Sequence, residues 1–71
     1  MADYCEIVVQ GYVDSLRASW FEDLTVENLP TGQAILRGTI CDDEYWAALL
    51  WRVSEMGMPL LSAKRRTVRT G

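Results

Sequence analysis

The chain predicts an α+β domain, and three features of the residue order carry that prediction. A β-branched and aromatic run alternates at period two near the N-terminus, Tyr4 to Val13. Two further alternating runs flank a Pro30-Thr31-Gly32 turn, and an apolar stripe at helical spacing follows them.

In the first run Cys5, Ile7, Val9 and Val13 share one side, with Tyr4, Glu6, Val8, Gln10 and Tyr12 on the other, as a strand requires. Next, Asp14 or Ser15 can cap a short helix whose Leu16, Trp20 and Phe21 are expected near one side. Leu24 and Val26 then alternate inward, the proline and glycine turn the chain, and Ala34, Leu36, Gly38 and Ile40 alternate on the return. Asp42 stands at an N-cap, with Asp43 and Glu44 in the first turn, where the helix dipole favours negative charge. Trp46, Leu49, Leu50, Val53 and Met56 form one stripe, closed by Gly57 and Pro59. Leu60 onward gives a last short strand running into a basic end.

The resulting order, β-α-β-β-α-β with a short first helix, is that of a ferredoxin-like domain: a four-stranded antiparallel sheet with its helices on one face. The first connection spans only about ten residues where crossovers usually need a dozen or more, so a meander of strands one to three is the alternative. Taking strands one and three as parallel puts Cys5 and Cys41 at opposite ends of the sheet. A disulfide needs Cα atoms within about 7 Å, so none is expected.

Seventy-one residues make one domain, read as residues 1–63 followed by a basic C-terminal tail, 64–71. A core of this size rarely supplies more than about 3–5 kcal/mol, which makes a homo-oligomer, in the simplest case a dimer, an expectation from size alone. Hydrophobic residues at 49% against 24% charged place the chain among globular rather than disordered proteins. No apolar run reaches the roughly 18 residues of a membrane span, and Asp3 and Glu6 stand where a signal peptide would carry basic residues. A cytoplasmic protein with two reduced cysteines is the expectation. All ten acids lie in residues 1–63 with three arginines, Arg17, Arg37 and Arg52. Residues 64–71 hold Lys64, Arg65, Arg66 and Arg69 and no acid.

The run Trp20-Phe21-Glu22-Asp23-Leu24-Thr25, the Leu36-x-Gly38 pair, and Asp42 leading to Met56-Gly57-Met58-Pro59-Leu60-Leu61-Ser62 are similar to a group of short uncharacterised bacterial proteins. That group's pattern reads W-F-x-G-L-T, then L-x-G-x-V-x-D, then a helix ending L-G-L-P-L-L-S, and the resemblance covers most of residues 5–63. It implies a bacterial α+β miniprotein and brings no activity. Three positions depart from it: Asp23 stands in place of glycine, Trp46 in place of leucine, and Trp51 where a small or polar residue is expected.

Catalysis, cofactors and metals find little footing. The chain has no histidine, which removes the commonest general base near neutral pH and the usual Cys/His zinc sites. Ser15, Ser19, Ser54 and Ser62 lack a base at a useful spacing, and neither Cys5 nor Cys41 has an imidazole to activate it. Asp42, Asp43 and Glu44 could offer oxygen ligands, but capping and the dipole account for all three. The glycines stand singly, without a phosphate-binding loop. A non-enzymatic protein without cofactor or metal is expected.

Partner binding and nucleic-acid binding remain. Trp51 falls almost opposite the helix's apolar stripe, among Ala47, Ala48 and Ser54 with Glu44 and Glu55 at the rim. Burying such an indole removes about 200 Å² from water, worth roughly 5 kcal/mol before costs. The plain alternative is an indole lying along its own helix or tucked beneath Arg65 or Arg66. Tyr4, Val8, Tyr12 and Ile35 are expected on the sheet face that the helices leave open, a second surface for a partner or another copy. A self-associating interaction or regulatory module that contacts no membrane is the first expectation. The competing one is a nucleic-acid accessory protein using Lys64, Arg65, Arg66, Arg69 and the strand-one tyrosines. A small-molecule sensor at a dimer seam is a third, by fold analogy alone.

Overall fold

A computed structural model describes residues 3–67. Its elements are β1 (Asp3–Gln10), a short helix α1 (Ser15–Ala18) that tightens into a 3-10 turn (Ser19–Phe21), β2 (Leu24–Asn28), β3 (Gln33–Ile40), α2 (Asp43–Glu55) and β4 (Leu60–Thr67). The four strands form one sheet in the order β2-β3-β1-β4, every neighbouring pair antiparallel. The α+β class and the antiparallel sheet are as the residue pattern predicts. The meander is not: β3 lies between β1 and β2.

Two expectations need correction. First, β1 ends at Gln10 rather than Val13, because Gly11 takes φ +125°, a backbone region that residues with a Cβ rarely occupy. The connection to β2 therefore runs over residues 11–23, enough for a crossover. Asn28 fastens it: its side-chain oxygen accepts from the Val13 N–H at 2.8 Å and its amide donates to the Val13 carbonyl at 3.0 Å. One side chain thus does for Val13 what a neighbouring strand would do.

Second, β1 and β3 are antiparallel, with Asp3 opposite Ile40 and Cys5 opposite Gly38. The crossover gives β1 and β2 one direction and the hairpin reverses β3, so β3 must oppose β1. Cys5 and Cys41 therefore lie toward the same end of the sheet, not opposite ends. Cys5 is buried, Cys41 is exposed just beyond β3, and both thiols are free.

The core lies between the sheet and α2. Cys5, Ile7 and Val9 from β1 and Ala34, Leu36 and Ile40 from β3 face Leu49, Val53 and Met56 of the helix, with Phe21 and Val13 closing the side. Asp42 caps α2, its carboxylate accepting from the Tyr45 N–H at 2.7 Å, and Gly57 at φ +73° ends it. Trp46 and Leu50 are half-buried against the core, so the predicted stripe is observed. Gly38 is needed for a different reason: a Cβ there would collide with the Leu24 side chain and stand 3.1 Å from the Asp23 carbonyl oxygen. A side chain at position 38 would have to displace the Leu24 side chain and push on the backbone at Asp23.

The basic end is strand rather than tail as far as Thr67. Lys64, Arg65 and Arg66 belong to β4, opposite Glu6, Cys5 and Tyr4 respectively. Arg69 lies outside the described residues. No helix among the described residues is long and apolar enough to cross a membrane.

Candidate functional site

The short first helix delivers an aromatic residue to the surface as well as to the core. Asp14 caps it through the Arg17 N–H at 2.8 Å, and one turn later the chain narrows to the 3-10 turn. Of Leu16, Trp20 and Phe21, expected near one side, only Phe21 is buried; Leu16 is 73% exposed and Trp20 42%. The tighter turn breaks the helical spacing on which the expectation rested, and consecutive residues 20 and 21 point to different sides.

Trp20 faces the exposed side of α2, where Trp51 stands 68% exposed. The two indoles border a groove of about 590 Å³, whose other walls are Ser19, Glu22, Asp23, Arg52 and Glu55. Arg52 ties the walls together, its guanidinium donating to the Trp20 carbonyl oxygen at 3.2 Å. Glu55 follows Trp51 by one helical turn, and Glu22 and Asp23 follow Trp20 directly. Among the described residues none of these three carboxylates joins an ion pair. The groove is therefore aromatic on both sides and carries three acids against one base.

The residues singled out around Trp51 divide. Ala47 and Ala48 are exposed one turn earlier on α2 and flank the groove without lining it. The indole is not covered by Arg65 or Arg66. Arg65 is held at the start of α2, its Nε against Asp3 and its Nη1 2.7 Å from Asp43. Those hydrogen bonds to two carboxylates push its already high pKa further up. Arg65 thereby joins the first strand, the start of α2 and the last strand. That makes it a structural residue and removes it from the set of free phosphate contacts.

The open sheet face holds Tyr4, Val8 and Ile35 as expected; Val8 lies directly opposite Ile35 and both are half-buried. Tyr12 does not join them. It sits past the end of β1 and is 70% exposed, since Gly11 turns the chain before it. Leu60 pairs with the core residue Val9, beside a shift of register between Val8 and Val9. The acids on this face are matched, Arg37 bridging Glu6 and Glu27, each at 3.2 Å, whereas Lys64 and Arg66 join no ion pair among the described residues. At the β4 side, Tyr4, Glu6, Lys64 and Arg66 line a small depression of about 100 Å³.

Reactive chemistry is sparse on both surfaces. Burial pushes the Cys5 thiol up from its ordinary value, with a backbone hydrogen bond at Gly38 offsetting part of that rise. Among the described residues no three His, Cys, Asp or Glu side chains gather as metal ligands would. Sequence reasoning missed Trp20, Glu22, Asp23 and Arg52. One signal was present: Asp23 departs from the glycine of the resembled pattern.

Fold and surface define a small α+β domain with an acidic, tryptophan-walled groove beside its longer helix. The chain belongs to a family described as a domain of unknown function (DUF8691), matched over residues 4–64. No curated protein and no solved structure matches the chain.

Proposed function

We propose that this protein is a non-enzymatic protein-interaction module whose docking site is the groove between Trp20 and Trp51. One observation carries the reading: two large aromatic side chains, far apart in sequence, stay exposed on the walls of the same groove. A domain this small would gain stability by burying them, and indoles at the centre of a charged rim are the residues that dominate protein interfaces. The histidine-free composition and the absence, among the described residues, of a metal-ligand cluster support a non-catalytic role. The resemblance to bacterial proteins and the reduced cysteines favour a bacterial cytoplasmic setting.

The test is selection from a displayed library of random short peptides, run with the wild type and Trp51→Ala in parallel. The reading expects peptides recovered by the wild type and lost with Trp51→Ala. If no peptide depends on Trp51, the groove is not a docking site. Light scattering over a concentration series separates a foreign partner from a second copy: Trp51-dependent self-association would show as a rise in mass that Trp51→Ala abolishes.

A second reading rests on the depression beside Tyr4, where Lys64 and Arg66 stand exposed on the same face as an accessible aromatic ring. A single-stranded nucleic acid could stack a base on Tyr4 and place phosphates on the two bases. Binding of this kind weakens steeply with added salt, and Lys64→Gln with Arg66→Gln should remove it. Binding that ignores both substitutions would dismiss this reading.

A further inference from the structure

We infer that the groove takes an arginine-bearing segment of a partner polypeptide, one guanidinium resting on an indole and answering the carboxylates at the rim. This rests on the reading of the groove as a docking site and names the chemistry of what docks there. The argument begins with charge. Glu22, Asp23 and Glu55 face the groove with no ion-pair partner among the described residues, and Arg52, the groove's one base, is engaged with the Trp20 carbonyl.

An anionic occupant would meet three carboxylates, and a purely apolar one would take their water and return no hydrogen bond. A cation suits both components of the wall. The faces of Trp20 and Trp51 attract it through the ring quadrupole, and the carboxylates supply acceptors. Arginine fits better than lysine, because its planar guanidinium stacks on indole while still donating to carboxylate at its edge. The groove is open and its two indole walls stand on different elements. A polypeptide whose residues flank the arginine can cover both walls, where a lone small cation would meet one.

Carboxylates outside ion pairs also stand elsewhere among the described residues, at Asp14, Asp42 and Glu44. Asp14 and Asp42, however, accept from helix N–H groups, and in the groove the free acids stand beside two exposed indoles. On the open sheet face Glu6 and Glu27 are already neutralised by Arg37, and on the helix side Asp3 and Asp43 by Arg65. A guanidinium arriving there would have to displace one that the fold holds in place.

The experiment is a titration of the full chain with a short glycine-spaced arginine peptide, followed through the indole N–H signals of Trp20, Trp46 and Trp51. The same peptide with citrulline in place of arginine keeps the shape and removes the charge. The expected result is movement of the Trp20 and Trp51 signals with Trp46, half-buried on the core side, unmoved. Affinity should fall about tenfold for the citrulline peptide, and as far for Trp51→Ala. Glu55→Gln should weaken binding severalfold; Glu44→Gln, on α2 outside the groove, should not.

Equal binding of arginine and citrulline peptides would overturn the inference, as would loss of binding with Glu44→Gln as large as with Glu55→Gln. The random-peptide selection separates this failure from that of the docking reading. Trp51-dependent peptides that are neutral or acidic would sink the arginine assignment and leave the docking site standing. No Trp51-dependent peptide at all would sink both.

Discussion

The open face of the sheet and the two-tryptophan groove are built from similar residues and reach opposite states. Both expose aromatic rings among acids and arginines. On the sheet, strand pairing sets the partners: Glu6 stands opposite Arg37, Thr25 opposite Arg37 on its other side, and Glu27 opposite Ile35, so one guanidinium reaches two carboxylates across three strands. In the groove no ladder sets the spacing. Its walls come from a 3-10 turn and from the far side of a helix, and its carboxylates face open space. A surface whose carboxylates are satisfied internally has little reason to recruit a cationic partner; one whose carboxylates and rings are both unmatched has two.

The largest effect should come from breaking the wall the two regions share. Gly38→Ala forces a Cβ against Leu24 and the Asp23 carbonyl, which connect the sheet to the groove. Urea unfolding should show a loss of about 1–3 kcal/mol, with the Trp20 indole signal displaced. Asn28→Ala should cost about as much, roughly 1–3 kcal/mol, because two backbone groups of Val13 lose their partner. Arg37→Met tests the matched charges directly. Both bridges are partly exposed, so the expected loss is only about 0.5–1 kcal/mol, shrinking as salt is added.

A pH titration distinguishes the two sides of β1. The Cys5 thiol is raised by burial, so its contribution to stability is complete below its ordinary value of 9.0 and is lost as pH rises through the higher folded value. Cys5→Ala should flatten that alkaline decline, apart from a later fall from Tyr45, raised chiefly by burial as well. The smallest effect on stability is also the most telling. Trp51→Ala should change unfolding by no more than about 0.5 kcal/mol while abolishing binding, the separation expected of an exposed docking residue.

Much of the fold was legible in the order of residues because its causes are local. The period-two runs marked three of the four strands, the aspartates at 14 and 42 marked two helix starts, and Gly57 marked a stop. Trp51 was legible for the same reason: its angle on α2 relative to Leu49 and Val53 follows from helical geometry alone. The groove was half legible. Its helix wall can be drawn from spacing, whereas a regular helix through Phe21 puts Trp20 on the same side as Phe21, and the 3-10 turn separates them. The end of β1 was overrun by three residues, since a glycine inside an alternating run announces a bend only if its φ is known.

What the sequence determined by itself is the class of the domain, the buried side of α2 and the exposure of Trp51, each set by contacts within a few residues along the chain. Only the tertiary structure decided that Trp20 and Trp51 border one groove and that Arg65 is held by Asp3 and Asp43. Those juxtapositions join residues separated by tens of positions, and composition and periodicity carry no information about them. They arise when the crossover and the hairpin fix strand direction and the core draws Phe21 inward, leaving its neighbour at the surface beside the helix.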